Sequence, residues 1–273
     1  MFVDLHVHST VSDGTEKPSD LLKKAKNISL ELFAITDHDN ISGSKLIYNG
    51  KHDDSIYFIT GVEISAEFKN TLHILGYNFD IENKALNETL CDLQEYRLKR
   101  NERMIKNMND SGFRISMEEL LNISGGEQLG RPHFARLMLE KGFVSSYQEA
   151  FDKYLKKGAP FYMDKKRLSP EDSIKLIKNA GGISVLAHPY QTKLEGENLE
   201  KLIKKLKSQG LDGIEVFYSL HSERMTGEYL SYAKKYDLVA TSGSDFHGEN
   251  KKDINLGMNT PFAYLKDFIK KII

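Results

Sequence analysis

A pattern at one end of this chain is matched at the other. Asp4, His6 and His8 form a DxHxH cluster near the amino terminus, and Asp245-Phe246-His247 answers it near the carboxyl terminus. If Phe2 to His8 is a strand, alternation puts Asp4, His6 and His8 on one face, where two imidazoles can converge on a single metal ion. A lone HxH is only moderately specific. Between the two ends, however, stand Asp13, His38 in Thr-Asp-His-Asp, Glu63 in Gly-Val-Glu-Ile-Ser, His73 in Leu-His-Ile-Leu-Gly and His188 in Ala-His-Pro. Each follows a short apolar run or sits within one.

Seven β-rich runs recur along the chain: Phe2 to Val7, Leu32 to Thr36, Ile56 to Val62, Thr71 to Tyr77, Ile183 to Ala187, Gly213 to Phe217 and Leu238 to Ser242. Helical patterns separate several of them. Thr15 to Ser29 carries Pro18 with apolar Leu21, Leu22 and Ala25, and Ser169-Pro170-Glu171 is a helix start leading into Ile174, Leu176 and Ile177. Leu199 to Leu206 and Glu228 to Tyr236 continue the alternation. Repeats of strand, helix and strand predict an α/β fold with a mainly parallel sheet, and seven strands suggest closure into a barrel. The candidate ligands then fall at or just beyond the carboxyl ends of the runs, where (β/α) barrels build active sites. Histidines serving only the core would sit at arbitrary points in the strands.

At 273 residues the chain can form one barrel-sized domain, or a domain with a sizeable insertion. A net charge of −1 argues against a long, sequence-independent nucleic-acid platform, which needs a basic excess, but allows a short or single nucleotide. The single cysteine, Cys91, rules out an intrachain disulfide and fits a reducing compartment. A ligand as early as His6 leaves no room for a signal peptide before it, and no apolar run approaches transmembrane length. A soluble cytoplasmic protein with no membrane partner is therefore expected. No heptad repeat or exposed apolar stripe predicts a stable protein partner.

The stretch 87–164 differs from its flanks. It is rich in Glu, Lys, Arg, Leu and Met at helical spacing, and reads as a helical insertion capping a discontinuous barrel domain, 1–86 and 165–273. Arg97, Arg100 and Arg103 recur every three residues and read as a solvated helix face. Gly130-Arg131-Pro132-His133-Phe134-Ala135-Arg136 opens another helix, whose start, with Arg131, His133 and Arg136, would suit a substrate phosphate.

The ordered motifs DLHVHSTVSDGT, ITDHD, GVEIS, HILGY, AHP, GIEVF and SGSDFHG resemble the PHP (polymerase and histidinol phosphatase) superfamily over nearly the whole chain. The block containing GRPHFARLML most resembles the branch of nucleoside 3′,5′-bisphosphate nucleotidases and 5′→3′ exoribonucleases. The resemblance implies a distorted seven-stranded (β/α) barrel holding three divalent metals, with the insertion shaping a nucleotide pocket. Carried onto this chain, it implies that His6, His8 and Asp245 hold one metal, Asp13, His38 and His247 a second, and His73 and His188 a third, with Glu63 bridging two of them. Imidazole and carboxylate without thiolate suit manganese, iron or zinc, and two to three ions are expected.

Clustered divalent metals point to phosphate-ester hydrolysis, because a water held by two cations becomes hydroxide at neutral pH while the cations neutralise phosphoryl charge. Asp37 and Asp39 flank His38 as possible orienters of an imidazole, or as surface or capping carboxylates. His221, after the Gly213 to Phe217 run, is the candidate general acid or phosphate contact. His52, in a polar stretch, reads as exposed and uninvolved, and Phe134, Phe161 and Tyr218 as surfaces on which any base could stack. The leading expectation is hydrolysis of the 3′-phosphoester of nucleoside 3′,5′-bisphosphates or short 5′-phosphorylated RNA. A histidinol-phosphate or other small-metabolite phosphatase is the alternative, and a non-catalytic metal-binding module the third.

Overall fold

The computed structural model describes residues 1–49, 56–124 and 129–273. His52 lies outside these. The described strands are β1 (Phe2–Asp4), β2 (Leu32–Phe33), β3 (Tyr57–Phe58), β4 (Gly61–Ser65), β5 (His73–Tyr77), β6 (Ile183–Leu186), β7 (Gly213–Tyr218), β8 (Val239–Gly243) and β9 (Met258–Asn259). The helices are α1 (Pro18–Asn27), α2 (Ser42–Tyr48), α3 (Lys84–Asp110), α4 (Met117–Ser124), α5 (Arg131–Glu140), α6 (Tyr147–Ala150), α7 (Pro170–Asn179), α8 (Gly196–Ser208), α9 (Glu223–Lys235) and α10 (Phe262–Ile272). The helix start read at Ser169 is present: its hydroxyl accepts the Asp172 N–H at 3.0 Å, with Pro170 first in α7.

The strands form a mixed α/β fold of two open sheets, not the single closed sheet of seven that was expected. One sheet has the order β3-β2-β1-β9, the other β4-β5-β6-β7-β8. The Ile56 to Val62 run divides into β3 and β4, one in each sheet, and β9 was not foreseen. The mainly parallel expectation also needs correction. β4 and β5, joined by a short connection, pair antiparallel, as do β5 with β6 and β1 with β9. The remaining ladders are parallel.

Between the sheets the backbone makes isolated contacts where ladders would close a barrel. At one seam Leu5 N–H donates to Ser242 O at 3.1 Å, Asp245 N–H to His6 O at 2.8 Å, and Val7 bridges Phe246. At the other His38 bridges Glu63, and Asp39 N–H donates to Glu63 O at 2.9 Å. Candidate ligands stand at both seams. The first is tight: a Cβ on Gly243 would lie 2.3 Å from the Cβ of His6, so only glycine lets β8 pass this close.

Apolar side chains fill several clusters. Val62, Ile64, Ile74, Ile174, Ile203 and Val216 belong to a core between one face of the five-stranded sheet and its helices, and Leu5, Ala34, Leu75, Val185 and Phe268 to another. Met104, Met108, Leu120, Phe134, Met138 and Phe161 belong to a separate core shared by α3, α4 and α5. That separate core is what lets these helices stand as a wall beside the strand ends.

Candidate active site

All nine side chains picked as ligands come together at the strand ends. Four overlapping groups have ligand atoms within 4.8 Å of one another: His8, Asp13, His38 and His247; His6, His8 and Glu63; His6, His188 and Asp245; His38, Glu63 and His73. Glu63 is the hub. One of its oxygens lies 2.8 Å from both His73 Nδ1 and His188 Nε2, and the other 2.7 Å from His38 Nδ1 and 3.3 Å from His8 Nε2. These groupings cut across the three sets that the family pattern implied, since His8 joins Asp13 and His247, and His188 joins His6 and Asp245.

Several of these atoms are buried and make no hydrogen bond: His6 Nε2, His8 Nε2, Asp13 Oδ1, Glu63 Oε2 and His188 Nδ1. Buried polar atoms left this way are costly, and here they converge on one another. An imidazole and carboxylate donor set with uncommitted lone pairs fits borderline divalent cations.

The opposite edges of the rings are held by the protein, as metal ligands need. His6 Nδ1 lies 2.9 Å from Glu215 Oε1, whose other oxygen accepts the His188 N–H at 2.7 Å. Glu215 is fully buried in β7, where the register with β8 shifts. Sequence reasoning missed it, although the quoted GIEVF contains a carboxylate within an apolar strand. His8 Nδ1 lies 3.3 Å from Ser12 Oγ, which donates to Asp37 at 2.6 Å, so Asp37 orients an imidazole through Ser12. Asp4 takes no part in the ligand groups. Its carboxylate accepts from Ser244, Gly257 and the His6 N–H, tying β1 to the chain after β8. Two candidate ligands, His188 (φ 23°) and Asp245 (φ 61°), and Asp39 beside His38 (φ 48°), have backbones in the left-handed region, a local strain that the surrounding packing holds.

The electrostatics follow from crowding. Burial opposes charge on His6, but Glu215, Glu63 and Asp245 outweigh it and hold the imidazole well above its usual range. Burial opposes charge on His8 too, yet Asp245 and Glu63 bring it up to about 9. His73 goes the other way, pushed down to about 4 chiefly by burial. Glu63 and Asp245, despite burial, are held well below the carboxylate range by the surrounding imidazoles. An entering cation therefore competes with protons on His6 and His8.

The cluster floors a cavity of about 560 Å³ whose walls include Arg97, Pro132, His133, Arg136, Lys165 and Lys251. Of the three residues read as phosphate contacts, His133 and Arg136 line it, while Arg131 faces a smaller adjoining pocket. His133 Nδ1 accepts the Gly130 N–H at 3.0 Å, and Arg136 bonds Glu140 at 3.0 Å. The solvated-face reading of Arg97 and Arg100 is wrong. Arg97 is 13% exposed and paired with Asp39, and Arg100 is 6% exposed, because this side of α3 turns inward against the strand ends and the start of α5; Arg103 is exposed as expected. Phe134 and Phe161 are buried in the helical core and Tyr218 donates to Asp245 at 2.7 Å, so none of them offers a free face to a base. His221 stands outside the cavity lining. Its Nδ1 lies 2.9 Å from Val216 O, and its ring packs among Tyr190, Tyr218 and Tyr229.

Residues 4–249 match the model of the family described as PHP domain. The chain belongs to the PHP domain family. As a PHP protein it is a metal-dependent phosphoesterase, a hydrolase. It is 33% identical over 256 residues to a 3′,5′-nucleoside bisphosphate phosphatase of Chromobacterium violaceum, covering 92% of this chain and 90% of that protein. It is 32% identical over 255 residues to a 5′-3′ exoribonuclease of Escherichia coli, covering 89% of this chain and 84% of that one. Among solved structures, an amidohydrolase from Chromobacterium violaceum with bound sulfate and no metal superposes with a TM-score of 0.82 at 30% identity, covering 99% of this chain and 97% of that chain. No described helix of this PHP chain is long and apolar enough to cross a membrane.

Proposed function

We propose that the protein hydrolyses the 3′-phosphoester of nucleoside 3′,5′-bisphosphates or of short 5′-phosphorylated RNA. The observation that carries this reading is the pairing of an imidazole and carboxylate cluster, seven of whose nine side chains line the cavity, with a cationic wall in that same cavity. The activities named for the two relatives support the choice of nucleotide substrates.

In this reading His6, His8, Asp13, His38, Glu63, His73, His188, Asp245 and His247 hold two to three divalent ions, manganese, iron or zinc. Bound there, such ions would supply a water ionised at neutral pH and neutralise charge on the phosphoryl oxygens. The protein's own part is positioning. Glu215 fixes the His6 ring, and Ser12 with Asp37 fixes His8, so the donor atoms keep their aim as charge builds on the phosphate. His133 and Arg136, with Arg131 at the start of α5, attract the phosphate that is not cleaved and so orient the ester over the floor. The stretch 87–164 acts as the insertion that closes the cavity from above, carried on its own apolar core, while 1–86 and 165–273 supply the catalytic floor.

The test is phosphate release with added Mn²⁺ from adenosine 3′,5′-bisphosphate, 5′-AMP, histidinol phosphate and a 5′-phosphorylated RNA oligomer. Strong preference for the bisphosphate or the RNA is expected. A preference for histidinol phosphate would overturn the nucleotide reading.

A further inference from the structure

Strand β7 breaks its own alternation. Its register against β8 shifts, so that Glu215 pairs with Thr241 but Phe217 with Ser242. Regular alternation would send Glu215 and Tyr218, three residues apart, to opposite faces of the sheet. With one extra residue in the strand both reach the floor, while Ile214, Val216 and Phe217 pack into the apolar core on the other side. Glu215 meets His6 and the His188 N–H, and Tyr218 meets Asp245.

Asp245 divides its two oxygens between the cluster and the protein. Oδ1 lies 3.3 Å from His8 Nε2, 3.4 Å from His247 Nδ1 and 3.6 Å from His6 Nε2. Oδ2 accepts from the Tyr218 hydroxyl at 2.7 Å and from Lys251 Nζ. The two donors differ in kind: Lys251 is 35% exposed and its charge repels an entering cation, whereas Tyr218 is buried and neutral. Tyr218 is itself wedged. The His221 N–H donates to Tyr218 O at 3.0 Å, a tight turn that folds the imidazole back onto the phenol with ring centres 4.9 Å apart. His221 Nδ1 is pinned to Val216 O, and His188 and Tyr190 flank the phenol, each with ring centres 5.7 Å away. Ser219 Oγ donates to Ser244 O at 2.7 Å and straps the same turn to the residue before Asp245.

We propose that Tyr218 is the positioning residue of Asp245: its hydroxyl retains Oδ2 and leaves Oδ1 alone to a metal ion, and His221 acts only by wedging Tyr218. This rests on Asp245 being a ligand, as in the function proposed above, and not on which phosphate ester is cleaved. A carboxylate free to give both oxygens to one ion would take the place that a water needs. The shifted register of β7 thus supports two members of the floor from one strand, His6 through Glu215 and Asp245 through Tyr218.

The experiment loads the full chain with Co²⁺, whose visible absorption reports the number and geometry of its ligands, and measures affinity by competition with a fluorescent chelator. In Tyr218→Phe, which loses only the hydroxyl, one ion is expected to bind roughly 10- to 100-fold more weakly, with a weaker absorption band as Asp245 gives both oxygens. His221→Ala should weaken the same ion about threefold in the wild type and not at all in the Tyr218→Phe background. Unchanged affinity and spectrum in Tyr218→Phe would overturn the proposal, even if the metal-stripped variant melts at a lower temperature. Equal losses from His221→Ala in both backgrounds would remove His221 from it. If Tyr218→Phe fails to fold, His221→Ala decides alone, and an unchanged spectrum and affinity there would overturn the proposal. Asp245→Ala separates this inference from the ligand reading beneath it. Every ion retained in that variant would mean that Asp245 is no ligand, whereas an ion lost there and undisturbed in Tyr218→Phe would strike Tyr218 alone.

Discussion

The floor and the wall of the active-site cavity solve opposite electrostatic problems. On the floor, three carboxylates and six imidazoles interlock so closely that each is the other's partner. On the wall stands Lys165, and in the pocket behind it Arg100, Arg131 and Arg167 gather, with no carboxylate partner among the described residues. Both arrangements are incomplete: the floor leaves lone pairs aimed at one another, which suits cations, and the wall leaves donors, which suits anions. A phosphate ester joined to a second phosphate meets both needs. The lesson is that unsatisfied polarity of opposite sign on two sides of one cavity describes a substrate as well as a lining.

The comparison can be broken first at the floor. Stripping metal with a chelator, or Glu63→Gln, which alters the residue that touches five imidazoles, should lower kcat/KM by at least about 10³-fold with the fold retained by circular dichroism. Activity surviving in a demonstrably metal-free protein would mean that the floor is not the catalytic centre. Next comes the support beneath it: Glu215→Gln should weaken metal affinity by roughly 10- to 100-fold, read by competition with a fluorescent chelator. An unchanged affinity would reduce Glu215 to a packing residue.

The wall responds to pH. Lys165 titrates at about 7, so raising the pH from 6 to 8 removes most of its charge while a phosphomonoester, with its second pKa near 6, stays largely dianionic at the upper end. KM for the bisphosphate should rise about tenfold above pH 7, and Lys165→Met should flatten that rise. Stability moves the opposite way. The folded pKa lies below the ordinary 10.5, so the unfolded chain holds the extra proton between about 7 and 10.5, and the fold gains stability as pH rises through that window. A denaturant midpoint that falls over this window in wild type, relative to Lys165→Met, would contradict the assignment. The smallest effect belongs to Arg136, which is mostly exposed and already tied to Glu140: Arg136→Gln should change KM by no more than about threefold.

Much of the floor was legible in the chain because its side chains sit in short motifs at strand ends, and a strand end is a local property. Glu215 was not legible. Inside Gly-Ile-Glu-Val-Phe a glutamate looks like the solvent-facing member of an alternation, and only the placement of β1 beside β8 puts His6 against it. The arginines of α3 misled for the same reason in reverse. Spacing of three residues marks one face of a helix, but not whether that face meets water or the start of another helix. His221 shows the limit of position as a guide, since it follows a strand like the true floor residues yet turns into a nest of tyrosines.

By itself the sequence determined the residue types, their order and the α/β alternation, which follow from periodicity, and through its family resemblance it pointed to the nine side chains that the fold brings together. Tertiary structure decided that the strands form two open sheets meeting at single bridges, that the ligand groups share members, and that four cations crowd one small pocket. Those outcomes depend on which distant segments touch. Contacts between segments far apart in the chain are set by packing the whole core at once, and no local pattern encodes them.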